Sequence, residues 1–214
     1  MAKWIDITQP LTNDMAHWPG DRPFTYEVAA TKEQTGSANV GKITTSVHMG
    51  THADSPFHFD NHGTTIEQIP VDTYIGKAIV IDVSPYKTIT PEVLKKYNLK
   101  GTTRLLLHTS LPNNPKHFPE DIPVLDPSIA AYLADKGIIL LGIDMPSVDP
   151  INSKSLETHH ALYKHGINIL ENLMLDHVEP GDYELIALPL RIVGADGSPV
   201  RAVLQPVKED LSDA

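Results

Sequence analysis

The sequence predicts an α/β fold of the mixed α+β kind, a single domain spanning residues 1–214 around a mixed sheet. Three observations carry this. Short β-branched runs outnumber helical ones. The helical segments gather in the second half and do not alternate strictly with strands, which disfavours a doubly wound sheet. The 214 residues, 41% of them hydrophobic, suffice for one sizeable core, and no internal repeat or low-complexity linker divides them.

In chain order, Trp4–Thr8, Phe24–Ala30 and Val40–Val47 read as strands. Ala78–Val83 is apolar and β-branched, the pattern of a buried strand. Thr90-Pro91-Glu92 opens a short helix to about Tyr97, with Thr as N-cap and Pro where a missing N–H costs nothing. Thr103–His108 is a further strand. Asp126-Pro127 opens a second helix, which Gly137 closes by entering the left-handed region. Ile138–Ile143 reads as a buried strand, and Ser155–His165 as a third helix stopped at Gly166. Glu184–Leu190 and Val200–Val207 are the last strands. Two loops stand out. His17-Trp18-Pro19-Gly20-Asp21 sets an aromatic beside tight-turn residues, and Leu111–Val124 holds four prolines and two asparagines.

Composition excludes several roles. A net charge of −10 argues against a nucleic-acid partner, which would require a basic patch. No apolar run approaches the roughly 20 residues that span a bilayer. Met1-Ala2-Lys3-Trp4-Ile5-Asp6 enters a strand pattern and does not read as a signal peptide. The chain has no cysteine, hence no disulfide and no thiolate ligand. Any metal must be held by His, Asp and Glu. A cytoplasmic enzyme is the expectation.

The densest chemistry lies in His48-Met49-Gly50-Thr51-His52-Ala53-Asp54-Ser55-Pro56-Phe57-His58. His48, His52, Asp54 and His58 have the same parity. If the run continues Val40–Val47 as a strand, all four side chains share one face. Imidazole nitrogens and a carboxylate suit zinc and similar divalent ions. Packing alone does not explain three histidines and an aspartate within eleven residues. A structural metal site is the plainer alternative, but such sites normally use cysteine.

A second constellation is Glu157-Thr158-His159-His160, followed by Ile167-Asn168-Ile169-Leu170-Glu171-Asn172-Leu173. A carboxylate among apolar neighbours, as Glu171 is, is costly unless paired or metal-bound. Its plainer reading is an exposed Glu on a strand or turn. His17, His62, His108, His117, His160, His165 and His177 read mostly as surface residues or as supports behind a site, although His160 adjoins His159. Asp144 and Asp149 fit either a site lining or a turn. Trp18 fits either a half-buried core contact or a flat wall against an aromatic substrate.

Six segments carry a family resemblance: Trp4-Ile5-Asp6-Ile7, Trp18-Pro19-Gly20-Asp21, the His48–His58 motif, His159-His160 with Glu171-Asn172-Leu173, the stretch 181–190, and Asp196-Gly197-Ser198-Pro199-Val200-Arg201. Together they resemble the bacterial kynurenine formamidase branch of the metal-dependent cyclase-like hydrolase family. The histidine motif marks the family, and the Trp18 loop and C-terminal segments mark the branch. The resemblance implies a swivelling β/β/α fold, usually a homodimer or larger. It implies two zinc ions per chain, with manganese or another divalent metal as a variant. His48, His52 and Asp54 would hold one ion, Asp54 would bridge to a second on His159, and Glu171 would contribute to both. His58 would be the general acid/base, and Trp18 would lie against the substrate.

The implied reaction is hydrolysis of N-formyl-L-kynurenine to L-kynurenine and formate, a step of tryptophan degradation. Two other readings share these residues. One is an isatin hydrolase-like cyclic amidase of the same family using manganese, and the other is a non-catalytic metal-binding protein.

Overall fold

The strand Arg104–His108 shows why the central sheet is covered on both faces. Leu105 and Leu107 pack into one apolar cluster and Leu106 into another, and none of the three is exposed. The computed structural model describes residues 3–99 and 101–207. Its strands are β1 (Ile5–Asp6), β2 (Thr25–Ala30), β3 (Val40–Thr44), β4 (His52–Asp54), β5 (Ile75–Asp82), β6 (Thr88–Ile89), β7 (Arg104–His108), β8 (Val124–Leu125), β9 (Leu140–Ile143), β10 (Asn168–Glu171), β11 (Gly181–Ile186), β12 (Gly197–Pro199) and β13 (Val203–Pro206). The helices are α1 (Lys32–Thr35), α2 (Pro91–Leu94), α3 (Ile129–Asp135) and α4 (Glu157–Lys164).

The main sheet runs β1-β13-β11-β5-β7-β9-β10-β4-β12. Its middle, β5-β7-β9-β10, is parallel, and both flanks are antiparallel. This is the mixed sheet and mixed α+β class read from the sequence. Leu94, Leu133 and Leu162 of the helices join Leu105 and Leu107 in the core on one face. Ile7, Leu170, Leu185 and Leu204 fill the other. That second face curls around its own core. Thr8, just past β1, bridges Leu173, just past β10, and Met174 N–H donates to the Ile7 carbonyl at 2.9 Å. β2 and β3 form a separate ribbon that leaves Tyr26, Val28, Val40 and Ile43 exposed.

Element boundaries moved where local backbone chemistry intervened. The strand expected over Val40–Val47 ends at Thr44. The histidine motif is therefore not one continuous strand. Gly50, at φ +63°, interrupts it, and only His52–Asp54 pairs as a strand. The helix opened by Thr90 is a single turn, because Pro91–Leu94 has little beyond Val93 and Leu94 to bury. α3 and α4 lie inside the ranges expected for them, and each is followed by a left-handed glycine, Gly137 and Gly166.

Candidate metal centre

Strand pairing brings the donors together. β4 lies between β10 and β12, with Glu171 directly opposite His52. Directly opposed residues share a face, so Glu171 and His52 converge. Asp54, two residues from His52, occupies that same face. His48 approaches from the turn before β4, and His58 from the single helical turn Pro56–His58 after it. His159 sits in the first turn of α4. Asp149 anchors that turn, accepting from Thr158 N–H at 2.9 Å and His159 N–H at 3.0 Å.

The inner ring nitrogens face two carboxylates. His48 Nδ1 is 2.9 Å from Asp54 Oδ1, and His52 Nε2 is 3.3 Å from the same atom. His52 Nε2 is also 3.5 Å from Glu171 Oε2. His159 Nε2 is 3.5 Å from Asp54 Oδ2 and 3.7 Å from Glu171 Oε1. The outer nitrogens are each pinned. His52 Nδ1 bonds the Gly50 carbonyl at 2.9 Å, His159 Nδ1 bonds Asp149 Oδ2 at 2.6 Å, and His48 Nε2 bonds Asp196 Oδ2 at 2.9 Å. Metal-binding histidines are oriented in this way, one nitrogen anchored and the other free to donate a lone pair.

His52, Asp54, His159 and Glu171 are each at most 4% exposed. Yet His52 Nε2 and Asp54 Oδ2 make no well-aligned hydrogen bond among the described residues, although oppositely charged neighbours lie 3.3–3.5 Å away. Orphaned buried polar atoms are rare and costly, and a bound cation satisfies both. Two donor groups, His48-His52-Asp54 and Asp54-His159-Glu171, share the Asp54 carboxylate. The residues fit divalent metal.

The electrostatics agree. Burial favours neutral imidazole, but Asp54 and Glu171 oppose this and raise His52 to about 10. Asp149 and Asp54 do the same for His159, also to about 10, and Asp196 and Asp54 raise His48 to about 9. Burial likewise favours a neutral Asp54, yet the close imidazoles of His159, His48 and His52 hold it well below the ordinary carboxylate range. The site attracts positive charge, and without metal protons supply it. His58 differs. Burial, and then the cationic His48, lower its imidazolium below the ordinary value, leaving the ring neutral at neutral pH.

A cavity of about 640 Å³ opens over the donors, with His58, His159 and Glu171 in its floor. Trp18 is half-buried in its wall, where it meets Phe118 edge-on at 5.3 Å. The two loops singled out in the sequence thus form one wall, tied by Ala16 N–H to the Pro115 carbonyl at 2.8 Å. His17, half-buried, and His117, exposed, both stand on those loops at the edge of this cavity. His160 faces away, edge-on to Phe59 at 5.3 Å. Asp144 lines the cavity, and burial raises it to about 7 against the bonds from Thr109. Asp196 is the functional-site residue that sequence reasoning left without a role.

Comparison with known proteins agrees with this geometry. The cyclase family model matches residues 5–150. A kynurenine formamidase of Bacillus cytotoxicus is 55% identical over 206 residues, covering 96% of this chain and 99% of its own. One from Bacillus cereus is 56% identical with the same coverage. A solved structure described as a potential metal-dependent hydrolase with cyclase activity superposes with a TM-score of 0.82 at 28% identity, covering 98% of this chain and 100% of its own. Isatin hydrolase A from Labrenzia aggregata shares the fold at a TM-score of 0.82 and 22% identity, covering 97% of this chain and 94% of its own. The chain therefore belongs to the cyclase family, among the kynurenine formamidases.

Proposed function

We propose that the protein hydrolyses N-formyl-L-kynurenine to L-kynurenine and formate, using two zinc ions held by His48, His52, Asp54, His159 and Glu171. The observation that carries this reading is the convergence of three anchored histidines on two buried carboxylates beneath an aromatic-walled cavity. Identity of 55–56% to kynurenine formamidases supports the substrate. The N/O donor set also accepts manganese or another divalent ion.

Divalent metal in this site would lower the pKa of water from about 15.7 towards ~7 and polarise the formyl oxygen. The chain's own groups complete the reaction. Neutral His58 takes a proton from the attacking water as its oxygen joins the formyl carbon. It then gives that proton to the aniline nitrogen as the C–N bond breaks. Formate leaves with the carbonyl carbon, and kynurenine leaves as the free amine. Trp18 and Phe118 present ring surface to the aryl group, the larger part of the substrate.

A homodimer or larger assembly belongs to the proposal. The exposed apolar residues of the β2–β3 ribbon support it, and light scattering tests it. Cytoplasmic location is also proposed, testable by cell fractionation. No helix among the described residues is long and apolar enough to cross a membrane.

The deciding experiment is turnover of formylkynurenine and of isatin by purified protein before and after chelation. Formate release that chelation abolishes and zinc restores is the expected result. Preferential opening of isatin would assign the cyclic amidase reaction. Metal binding with turnover of neither would leave a metal-binding protein without this activity.

A further inference from the structure

Asp196 lies just before β12 and reaches two rings at once. Its Oδ2 is 2.9 Å from His48 Nε2 and 3.4 Å from His58 Nδ1. Those two rings are themselves in contact, centroids 4.0 Å apart and planes tilted by 40°. The backbone holds Asp196 in place, since its carbonyl accepts from Ser55 N–H at 2.9 Å. The next residue, Gly197, leaves no space for a side chain. A Cβ there would sit 2.8 Å from His48 Cε1 and 2.9 Å from the Ala53 carbonyl oxygen. The missing side chain is what lets this strand press against His48.

A carboxylate accepts and does not donate, so each ring nitrogen facing Asp196 carries the proton. His48 has a carboxylate at each nitrogen, Asp54 Oδ1 at 2.9 Å from Nδ1 and Asp196 at Nε2. Asp196 keeps the Nε2 proton, so the proton a metal displaces is the one on Nδ1, the nitrogen in the donor group of Asp54. For His58 the bond to Asp196 leaves Nε2 as the basic nitrogen, the form a general base requires. We propose that Asp196 is a positioning residue that sets the tautomer of His48 and of His58 through one shared oxygen. The His48 half concerns metal binding alone. The His58 half rests on the proposed hydrolysis.

The test is zinc titration of metal-free protein by calorimetry, with kinetics at saturating zinc, on Asp196→Ala and Asp196→Asn. Each is made with His58 intact and with His58→Ala. Asp196→Ala should bind zinc about 10–100-fold more weakly at unchanged stoichiometry. At saturating zinc its kcat should fall about tenfold or more with KM little changed, and this fall should vanish in the His58→Ala background. Asp196→Asn keeps a carbonyl acceptor and should recover part of both losses. Zinc affinity equal to wild type, or an equal fall in kcat with and without His58, would overturn the proposal. So would loss of a whole zinc equivalent at saturation, which would make Asp196 a ligand. If Asp196→Ala does not fold, Asp196→Asn decides, and unchanged zinc affinity and kcat there overturn the idea. If wild type binds zinc but releases no formate, the hydrolysis reading fails, while the titration still decides the His48 half.

Discussion

His58 and Trp18 are where two side chains make separable contributions. His58 is partly exposed in the cavity floor and uses its ring on Asp196, outside the two donor groups that share Asp54. His58→Ala should keep its zinc and lose turnover by about 10²–10⁴, with KM nearly constant, because the lost interaction belongs to the transition state. Metal analysis beside steady-state kinetics checks this, and co-loss of zinc would make His58 a ligand. Trp18 contacts Phe118 at the rim and is not sealed in the core. Aromatic stacking adds about 0.5–1.5 kcal/mol beyond burial. Trp18→Ala should therefore weaken formylkynurenine more than a small aliphatic formamide by roughly that amount, and Trp18→Phe should recover part. A fall in melting temperature with equal loss for both substrates would instead make Trp18 a packing residue.

Elements transmit packing to the site. Gly142 in β9 has its missing side chain aimed into the curled interior, where a Cβ would lie 2.4 Å from Leu106 Cδ2 and 2.7 Å from Leu173 Cδ1. Gly142→Ala should cost about 1–3 kcal/mol through overpacking. It should also weaken zinc, because Leu173 lies two residues beyond Glu171. Denaturant unfolding and zinc titration on one variant measure both, and an unchanged zinc affinity would show that Glu171 is insulated from β9. The same scale explains what the sequence disclosed. His52 and Asp54 were legible because a spacing of two fixes them on one face wherever the chain is extended. Glu171 was legible as an acid among apolar neighbours. β4 and β12 were not, being three residues each and defined only by partners far along the chain. Asp149 was legible only as one of two choices, because the distinction needs the start of α4 in place. Asp196 stood in a segment that carried the resemblance, but no local pattern gave it a role. Its partner His48 is 148 residues away, and an Asp-Gly pair reads first as a turn.

Across the whole molecule the donor set is a candidate metal site that only the folded chain assembles. Metal that binds only the folded chain stabilises it by about 4 kcal/mol at a thousandfold excess over Kd. For a chain of this size that corresponds to roughly 8–16 °C in Tm. Calorimetric melting with zinc and with chelator should show a gap of that order. Equal melting temperatures would mean that the donors are not a metal site.

The placement of β4 between β10 and β12 sets an order of events during synthesis. The histidine-rich segment leaves the ribosome more than a hundred residues ahead of both strands that will flank it, since Thr51 awaits the Asn172 carbonyl 121 residues on. Until then its imidazoles are on an unpaired chain, where nothing fixes the arrangement in which they could meet a metal. Pairings of such long range form slowly. Zinc present from the start of refolding should therefore trap non-native complexes and lower the active yield, whereas zinc added after the sheet has closed should not. Recovered formamidase activity, compared between the two orders of addition, measures the difference, and equal yields would show that premature binding reverses faster than β12 arrives.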